Sequence, residues 1–396
     1  MNLKLVLRES FLYGVIQLLN LIIPFLVFPF ILKKIGSEAY GQIIIAQSIS
    51  ALIALFGDLG LNIIGVRELN RQKGNQKEII TIIYCIRTFI FLMSLLILIS
   101  YRFIYEGFIS NYLLCFIGLI AFELFFPRWI YQSETRAKKI LYYTFLGKVV
   151  AITLILITLE ETNPIVVPVS YSIGFFVSIF LSLGGIKNSF TSIKGVKRDR
   201  VINLLRASLT VFFPKTLEKV IENSFNLIAG FGTSASLAVT SELINKSLRL
   251  LNTPSTIIIN STFPLLSRDY SSRHLRKILI ITPTISFFAS LIYFLNWDIV
   301  LKIFAIEEEF INNQILILSI IPALVSINWL IGDNFMIIKN KLKEYNISMM
   351  IRFLSYFLGL LVFYISWKEN LLWIFLLFGI SILLDTLYKL YVYLKD

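Results

Sequence analysis

The sequence predicts an all-α membrane protein with twelve transmembrane helices, and three observations support this. The chain of 396 residues is 57% hydrophobic and 15% charged, whereas about a quarter of the residues in soluble domains are charged. It holds about a dozen apolar runs of 18 or more residues, a length that crosses a bilayer as a helix. The alternating stretches of about ten residues that are typical of membrane β-strands are not present. Because a helix satisfies its backbone hydrogen bonds within one segment, a polytopic helical protein is the class that fits.

Each predicted span is an apolar run bounded by polar residues, and the first one is expected to remain in the protein. The apolar stretch after the basic segment Met1–Arg8 continues to Leu32, whereas a cleavable signal peptide has an apolar core of about 7–15 residues. Further runs follow it in order. The predicted spans are 10–32, 40–64, 79–101, 108–126, 141–159, 165–185, 208–231, 235–265, 278–297, 310–338, 346–367 and 371–394.

The distribution of Lys and Arg between alternate loops predicts the orientation. One set of loops, which includes both termini, holds 25 of the 37 cations, and the other set holds five. Since cytoplasmic loops carry the excess of Lys and Arg, both termini are expected in the cytoplasm. Loop placement therefore explains the net charge of +13, and no nucleic-acid partner is expected.

A basic stretch divides the chain into two halves of six spans. It is the longest polar connection and contains six cations between 187 and 206. We expect an N-terminal six-helix bundle over 1–186, a cytoplasmic basic linker over 187–206 and a C-terminal six-helix bundle over 207–396. Many transporters are built from two such halves.

Charged residues cluster within the seventh and eighth predicted spans. At about 100° per residue, the charges of the seventh span share one helical stripe, and the eighth span repeats the spacing. A charge at the bilayer centre costs about 2.5–3.5 kcal/mol, so these side chains must face each other or water. The two stripes are Lys215, Glu218, Lys219, Glu222 and Asn226, and Glu242, Asn245, Lys246, Arg249 and Thr253.

Two interpretations of these stripes remain open. Either the charges pair and merely hold the helices together, or they line a hydrated cavity between the halves. We favour the cavity, because two stripes several turns long exceed what one buried ion pair needs. Four cations would then attract an anion such as a phosphate: Lys215, Lys219, Lys246 and Arg249. Three carboxylates would balance them or bind a coupling ion: Glu218, Glu222 and Glu242.

Other polar residues in or near the spans are candidates for smaller roles. Those expected to act in gating or to line the cavity are Asp58, Asn62, Arg67, Arg87 and Asp333. Near span ends charged side chains usually extend to the interface, and this is expected of Glu123 and Asp385. Cys85 and Cys115 fit small core residues. A single histidine, His274, cannot build a metal site, so no metal or other cofactor is expected.

Three stretches resemble a known family of transporters. They are "YGVIQLLNLIIPFLVFPFILKKIGSEAYG" (13–41), "LFGDLGLNIIGVREL" (55–69) and "FPLLSR" (263–268). These stretches resemble the O-antigen and polysaccharide flippases, a branch of the superfamily, known as MOP, that also holds drug–cation antiporters and the lipid II flippase. The residues that carry the resemblance are Pro24, Pro29, Gly36, Tyr40, Gly41, Asp58, Gly60, Asn62, Arg67 and Glu68, with the Pro–x–x–Ser pattern of 263–268.

The resemblance implies a fold, a substrate and partners. The fold would be a V-shaped pair of six-helix bundles that opens alternately to each side of the bacterial inner membrane, with H⁺ or Na⁺ as coupling ion. The substrate would be an undecaprenyl-pyrophosphate-linked oligosaccharide for O-antigen, capsule or other surface polysaccharide, and its anionic head suits the cation-rich cavity. A polysaccharide polymerase, a chain-length regulator and membrane lipids would be partners. Pro24 and Pro29 would bend the first helix and shape a lateral opening for the lipid tail.

Two other functions remain open. A drug–cation antiporter of the same superfamily should have a carboxylate in span one, where this chain offers Gln17 and Asn20. A membrane-embedded polysaccharide polymerase or acyltransferase generally needs a substantial outer loop or a catalytic histidine. Here the outer loops are short and His274 lies in a cytoplasmic loop, so a transporter and not an enzyme is expected.

Overall fold

Helices form every regular element in the part of the chain that the computed structural model describes, as predicted. The described residues are 3–71, 75–105, 107–134, 136–186, 189–190, 198–268, 272–304, 315–339, 341–364 and 370–396. The helices are α1 (Leu3–Asp58), α2 (Leu61–Arg71), α3 (Gln76–Ile104), α4 (Phe108–Cys115), α5 (Ile117–Phe125), α6 (Arg128–Ser133), α7 (Ala137–Thr158), α8 (Val166–Gly184), α9 (Arg198–Gly232), α10 (Ala235–Arg268), α11 (Ser272–Leu295), α12 (Trp297–Phe304), α13 (Ile320–Ile331), α14 (Leu342–Val362) and α15 (Leu372–Leu394). A 3-10 segment (Ile315–Ser319) precedes α13, and a π-helical segment (Gly332–Ile337) follows it.

Within the described residues, nine helical runs are long and apolar enough to cross a membrane. One of them, 22–71, contains the second predicted span and the end of the first. Helices α9 and α10 have 35 and 34 residues but are not among the nine, and they carry the two charged stripes. The chain is an all-helical membrane protein, while the total of twelve spans and the cytoplasmic side of both termini stay predictions.

Left-handed backbone at three residues marks a turn after the first predicted span and a break within the second. The predicted turn between these spans lies at Gly36, inside α1, whose φ of 77° costs a glycine little because it has no Cβ. The second span ends earlier than predicted, since α1 stops at Asp58 and both Leu59 (φ 49°) and Gly60 (φ 75°) break the helix. A Cβ at Gly60 would lie 2.8 Å from the Ser208 carbonyl oxygen, so this break also lets α9 approach closely.

A further break, between α4 and α5, is stabilised by a hydroxyl from α8. The Ser172 hydroxyl donates to the Cys115 carbonyl oxygen and accepts from the Gly118 N–H at 3.2 Å. These are backbone groups that helix ends leave unpaired. Because an unpaired backbone group costs several kcal/mol in lipid, Ser172 lets the fourth predicted span continue through the break.

Helices α7 and α8 pack closely at Gly147, and this contact predicts a measurable loss of stability. A Cβ at Gly147 would overlap the Gly174 carbonyl oxygen and the Ser178 hydroxyl. We expect Gly147→Ala to lower the free energy of unfolding of the detergent-solubilised protein by about 1–3 kcal/mol, the usual cost of overpacking. Gly184→Ala on α8 is the matched control, since a Cβ there meets nothing within 4 Å. An equal loss in both variants would contradict the close packing.

The described helices belong to two compact units that interleave along the chain. The first unit comprises 1–33, 231–233 and 240–396, and the second comprises 34–230 and 234–239. Inside the first unit, Phe25 and Phe28 of α1 pack edge to face on Phe304 of α12, with ring centroids 4.6 and 5.3 Å away.

The expected division into an N-terminal six-helix bundle over 1–186, a linker over 187–206 and a C-terminal six-helix bundle over 207–396 stays a prediction. Within the expected linker, residues 187–188 and 191–197 lie outside the described residues.

Candidate functional site

The stripe on α9 belongs to the second unit and contains an exposed ion pair. Lys219 Nζ lies 2.7 Å from Glu222 Oε2, and their side chains are 53% and 15% exposed. Glu218 is half-buried, and the side chain of Lys215 lies outside the described residues. Asn226 is buried and donates to the Ser48 hydroxyl of α1 at 3.2 Å, so this end of the predicted stripe packs against protein.

Several contacts fix α9 within the second unit. Near its N-terminus Arg200 forms an ion pair with Glu78 of α3. Further along, the rings of Phe212 and Phe56 meet edge to face at 6.1 Å between centroids. The polar stripe is therefore presented by a helix that is anchored along its length, as the positioning of a binding group requires.

The stripe on α10 belongs to the first unit and contains a half-buried ion pair. Lys246 Nζ lies 3.2 Å from Glu242 Oε1, and both side chains are about one-seventh exposed. The same ammonium lies 4.7 Å from the centroid of the Phe28 ring, a cation–π contact that fixes its position. Arg249, one turn further along, is exposed.

The α10 stripe is narrower than predicted. Asn245 and Thr253 are buried, and the Thr253 hydroxyl donates to the Arg249 carbonyl oxygen at 2.9 Å. Other hydroxyls of α10 pair with α11, where Ser247 meets the Tyr293 hydroxyl at 2.8 Å. The accessible polar groups of this stripe are therefore Glu242, Lys246 and Arg249.

Among the described side chains, each stripe thus contains a lysine–carboxylate pair, but the stripes belong to different units. A shared hydrated cavity that binds an anion stays a prediction. The α9 stripe can supply ammonium donors, and the α10 stripe can supply ammonium and guanidinium donors; both kinds form charge-assisted hydrogen bonds with phosphate oxygens.

The structure brings together three of the residues expected in gating. In the second unit, Arg87 Nη2 lies 2.6 Å from Asp58 Oδ1 and donates to Asn62 Oδ1 at 3.0 Å. The Arg87 side chain is fully buried, with its guanidinium carbon 5.9 Å from the Trp129 ring centroid. Since Asp58 and Asn62 flank the break at Leu59 and Gly60, Arg87 fastens both sides of that break to α3.

The other two expected gating residues lie elsewhere. Arg67 is 54% exposed and pairs with its neighbour Glu68 at 3.0 Å. Asp333 belongs to the first unit, where it is half-buried in the π-helical segment. A gating role for any of these residues stays a prediction.

The prediction that Asp385 extends to the membrane interface is wrong. Its side chain and that of Lys389 are both fully buried in α15. Lys389 Nζ lies 3.3 Å from Asp385 Oδ2 and donates to Asn328 Oδ1 of α13 at 2.7 Å. The spacing of four residues places both charges on one helix face, and it is the sequence signal that could have identified them.

Further sequence predictions concern cysteines and metals. Cys85 is exposed, contrary to its predicted core position, and Cys115 is half-buried; both are free. Among the described residues no group of three His, Cys, Asp or Glu side chains could hold a metal ion. The side chains of His274 and of 263–268 lie outside the described residues.

Comparisons with solved structures reveal transporters of similar fold. The structure of "Lipid II flippase MurJ, inward closed conformation" matches with a TM-score of 0.73 at 17% identity, covering 98% of this chain and 87% of that one. The MATE multidrug transporter DinF-BH matches with a TM-score of 0.66 at 16% identity over 99% and 95%. A MOP superfamily transporter from Pyrococcus furiosus matches with a TM-score of 0.66 at 14% identity over 99% and 95%. The chain therefore has the fold of MOP-superfamily transporters.

Sequence comparisons give the family. A curated protein of Escherichia coli (strain K12), described as "Putative O-antigen transporter", is 22% identical over 376 residues, which are 87% of this chain and 86% of that protein. Together with the apolar helices, these relatives make the chain a multi-pass inner-membrane protein. The family model described as "Polysaccharide biosynthesis protein" matches residues 6–269, well over half of the chain. This chain belongs to the polysaccharide biosynthesis protein family.

Proposed function

We propose that the protein moves an undecaprenyl-pyrophosphate-linked oligosaccharide from the cytoplasmic to the outer leaflet of the bacterial inner membrane. The observation that carries the proposal is the family match over 6–269. Two similarities support a lipid-linked substrate. One is to the Escherichia coli protein described as "Putative O-antigen transporter", and the other is the fold shared with the lipid II flippase. A polymerase and a chain-length regulator would then join the transported oligosaccharides into O-antigen, capsule or another surface polysaccharide.

The pyrophosphate would be held by the cations of α9 and α10. Lys219 is well exposed and pairs with Glu222, so its charge is compensated while the site is empty, and its exposed ammonium can also donate to a phosphate oxygen when the substrate binds. Arg249 is exposed and supplies two parallel N–H donors. Lys215 and Lys246 would complete the cation set.

The carboxylates would keep the empty site close to neutral. Glu222 and Glu242 lie within ion-pair distance of Lys219 and Lys246, so the charged lysines need no anion between transport cycles. Glu218 would share this role. We infer that alternating access exposes the same cations first to the cytoplasm and then to the outside, with the substrate shifting the equilibrium between the two states.

A drug–cation antiporter is the second candidate, because MATE multidrug transporters share the fold. Such a protein needs a carboxylate to attract a cation, and span one offers Gln17 and Asn20 at its polar positions. The excess of Lys and Arg in the two stripes would repel a cationic drug.

Deletion of the gene in its host, followed by complementation, tests the proposal. We expect the deletion strain to lose surface polysaccharide and to accumulate the lipid-linked oligosaccharide on the cytoplasmic side, and the intact gene to reverse both effects. Loss of a polymerase would instead leave single repeat units at the surface. Efflux of a cationic dye by the complemented strain, with surface polysaccharide unchanged by the deletion, would refute the proposal in favour of the antiporter.

A further inference from the structure

A buried Asp–Lys pair in α15 forms a built polar site in the C-terminal part of the first unit. Asp385 and Lys389 are both fully buried, one helical turn apart. The Lys389 ammonium lies between two oxygens, 3.3 Å from Asp385 Oδ2 and 2.7 Å from Asn328 Oδ1. Asn328 in turn donates to the Thr386 hydroxyl at 3.2 Å, which fixes the orientation of its amide.

The surrounding backbone is shaped to admit the ammonium. A Cβ at Gly332 would lie 3.3 Å from Lys389 Nζ and 3.0 Å from the Tyr345 ring, so a larger residue would crowd the site. The ammonium also lies 5.2 Å from the centroid of that ring. Gly332 begins the π-helical segment that follows α13, and π-helical segments occur frequently at functional sites.

The buried ion pair contributes little net free energy to the packing of α15 on α13. Apolar residues lie close to it on both helices. Ile331, in the same helix as Asn328, and Val392, in the same helix as Lys389, belong to one buried cluster with Met336. A hydrophobic pair of similar volume would usually hold such helices at least as well as a buried ion pair. Ionisable groups inside membrane proteins generally mark ion and proton pathways for this reason.

One oxygen of the pair lacks a partner. Asp385 Oδ1 is buried and accepts no hydrogen bond from any of the residues that the structure describes. A buried acceptor without a donor costs free energy, and binding of a hydrogen-bearing group there recovers it. Oδ1 is thus the oxygen of this cluster at which a hydrogen-bond donor or a proton can bind.

The chemistry of the site selects a proton over a metal cation. The ammonium of Lys389 already occupies the position between Asp385 Oδ2 and Asn328 Oδ1 that a sodium ion would take. A metal ion would have to displace the tethered ammonium from both oxygens. A proton needs only one lone pair, and Oδ1 provides it.

We propose that Asp385, held by Lys389, is the proton-binding site that couples transport to the proton gradient. The inference rests on the proposed transport function for its coupling role, though not for the binding of the proton itself. In the binding step a hydronium ion gives its proton to Asp385 Oδ1, an O–H bond forms, and a water molecule is released. The reverse step returns the proton to water on the other side.

Protonation changes what holds α13, α14 and α15 together. Once Asp385 is neutral, Lys389 loses its carboxylate counter-ion while it keeps its contacts with the Asn328 oxygen and the Tyr345 ring, so the packing of α15 on α13 weakens. The other ionisable groups on elements packed against α15 include Arg352 and Tyr356 of α14, which contact Phe378; Lys343 and Glu344 at the start of α14; and Asp333 of the π-helical segment.

Infrared difference spectroscopy of the purified full chain in lipid nanodiscs tests the proton site directly. We expect the spectrum taken between alkaline and acidic buffer to contain the carbonyl stretch of a buried protonated carboxyl. That band should disappear in Asp385→Asn and persist in Glu123→Gln, whose carboxylate is 40% exposed and pairs with Arg128. A band unchanged in Asp385→Asn would overturn the assignment.

A second variant separates coupling from folding. Asp385→Leu combined with Lys389→Met removes both charges and should unfold at or above the temperature of the wild type. If the pair couples transport, cells with this variant should lose surface polysaccharide to the level of the deletion strain, despite normal amounts of folded protein. Normal surface polysaccharide would overturn the coupling role.

The two experiments also keep this inference distinct from the proposed function. If wild-type protein failed to restore surface polysaccharide, the flippase proposal would fall while the infrared band still reported the proton site. If the wild type restored it and the band did not depend on Asp385, the inference alone would fall.

Discussion

We expect Arg87→Ala to lower the free energy of unfolding by about 3–5 kcal/mol, the range found when one partner of a buried ion pair is removed. The Arg87 side chain is fully buried, with Nη2 2.6 Å from Asp58 Oδ1 and 3.0 Å from Asn62 Oδ1. Its loss leaves the Asp58 carboxylate without its guanidinium. The effect is enlarged because these contacts hold the backbone break between α1 and α2. Thermal and denaturant unfolding of the detergent-solubilised protein measures it.

Arg67→Ala is the matched control for this experiment. Arg67 lies close in the chain, but it is half exposed and pairs with its neighbour Glu68, so its removal should cost about 0–1 kcal/mol. Replacing the whole pair, with Arg87→Met and Asp58→Leu together, should recover much of the loss, since no charge then stays buried alone. Equal losses for Arg87→Ala and Arg67→Ala would show that the buried pair contributes little.

The second large effect concerns the stripes on α9 and α10. We expect Lys219→Ala combined with Arg249→Ala to reduce surface polysaccharide to nearly the level of the deletion strain. Each charge-assisted hydrogen bond contributes about 1.5–3 kcal/mol, so the loss of two weakens binding of the pyrophosphate by about 100-fold or more. Removing Lys219 also leaves the Glu222 carboxylate 2.7 Å from where its counter-ion was, and that charge repels the anion.

Two control variants test whether the effect of the double alanine variant is specific to the cations of the stripes. Lys138→Ala removes an exposed cation from the start of α7, outside both stripes, and should leave surface polysaccharide unchanged. Lys219→Arg with Arg249→Lys keeps both charges and should retain part of the activity, because the charge remains while the donor geometry changes. Immunoblots of membranes must show equal protein. Wild-type levels of polysaccharide in the double alanine variant would refute the assignment of these cations.

Much of the fold follows from local features of the sequence. Apolar runs alone are enough to predict the helices, because a membrane leaves the backbone no other way to satisfy its hydrogen bonds. The turn at Gly36 was also predictable, since it falls in a short polar stretch between two such runs. The same is true of Lys219 and Glu222, whose spacing of three residues places them side by side on any helix.

Features that depend on partners distant in sequence were not predictable. Asp385 near a span end looks like an interfacial residue, and its burial depends on Asn328 and on the missing side chain at Gly332, more than fifty residues earlier. The early end of α1 depends in the same way on Arg87 from another helix. The two predicted stripes also contain polar residues that the structure buries. Asn226 lies on the stripe of α9, and Asn245 and Thr253 lie on the stripe of α10.

The interleaving of the two units has a consequence for how the protein is made. Residues up to Lys33 pack with the part of the chain that starts at Thr240, through contacts such as Phe28 with Lys246 and with Phe304. At a synthesis rate of about 5–20 residues per second, the first helix waits about 10–40 s for these neighbours after it leaves the ribosome. During that interval its aromatic face contacts other partners, such as lipid, so the first unit completes its packing only after residues 34–230 of the second unit have been synthesised.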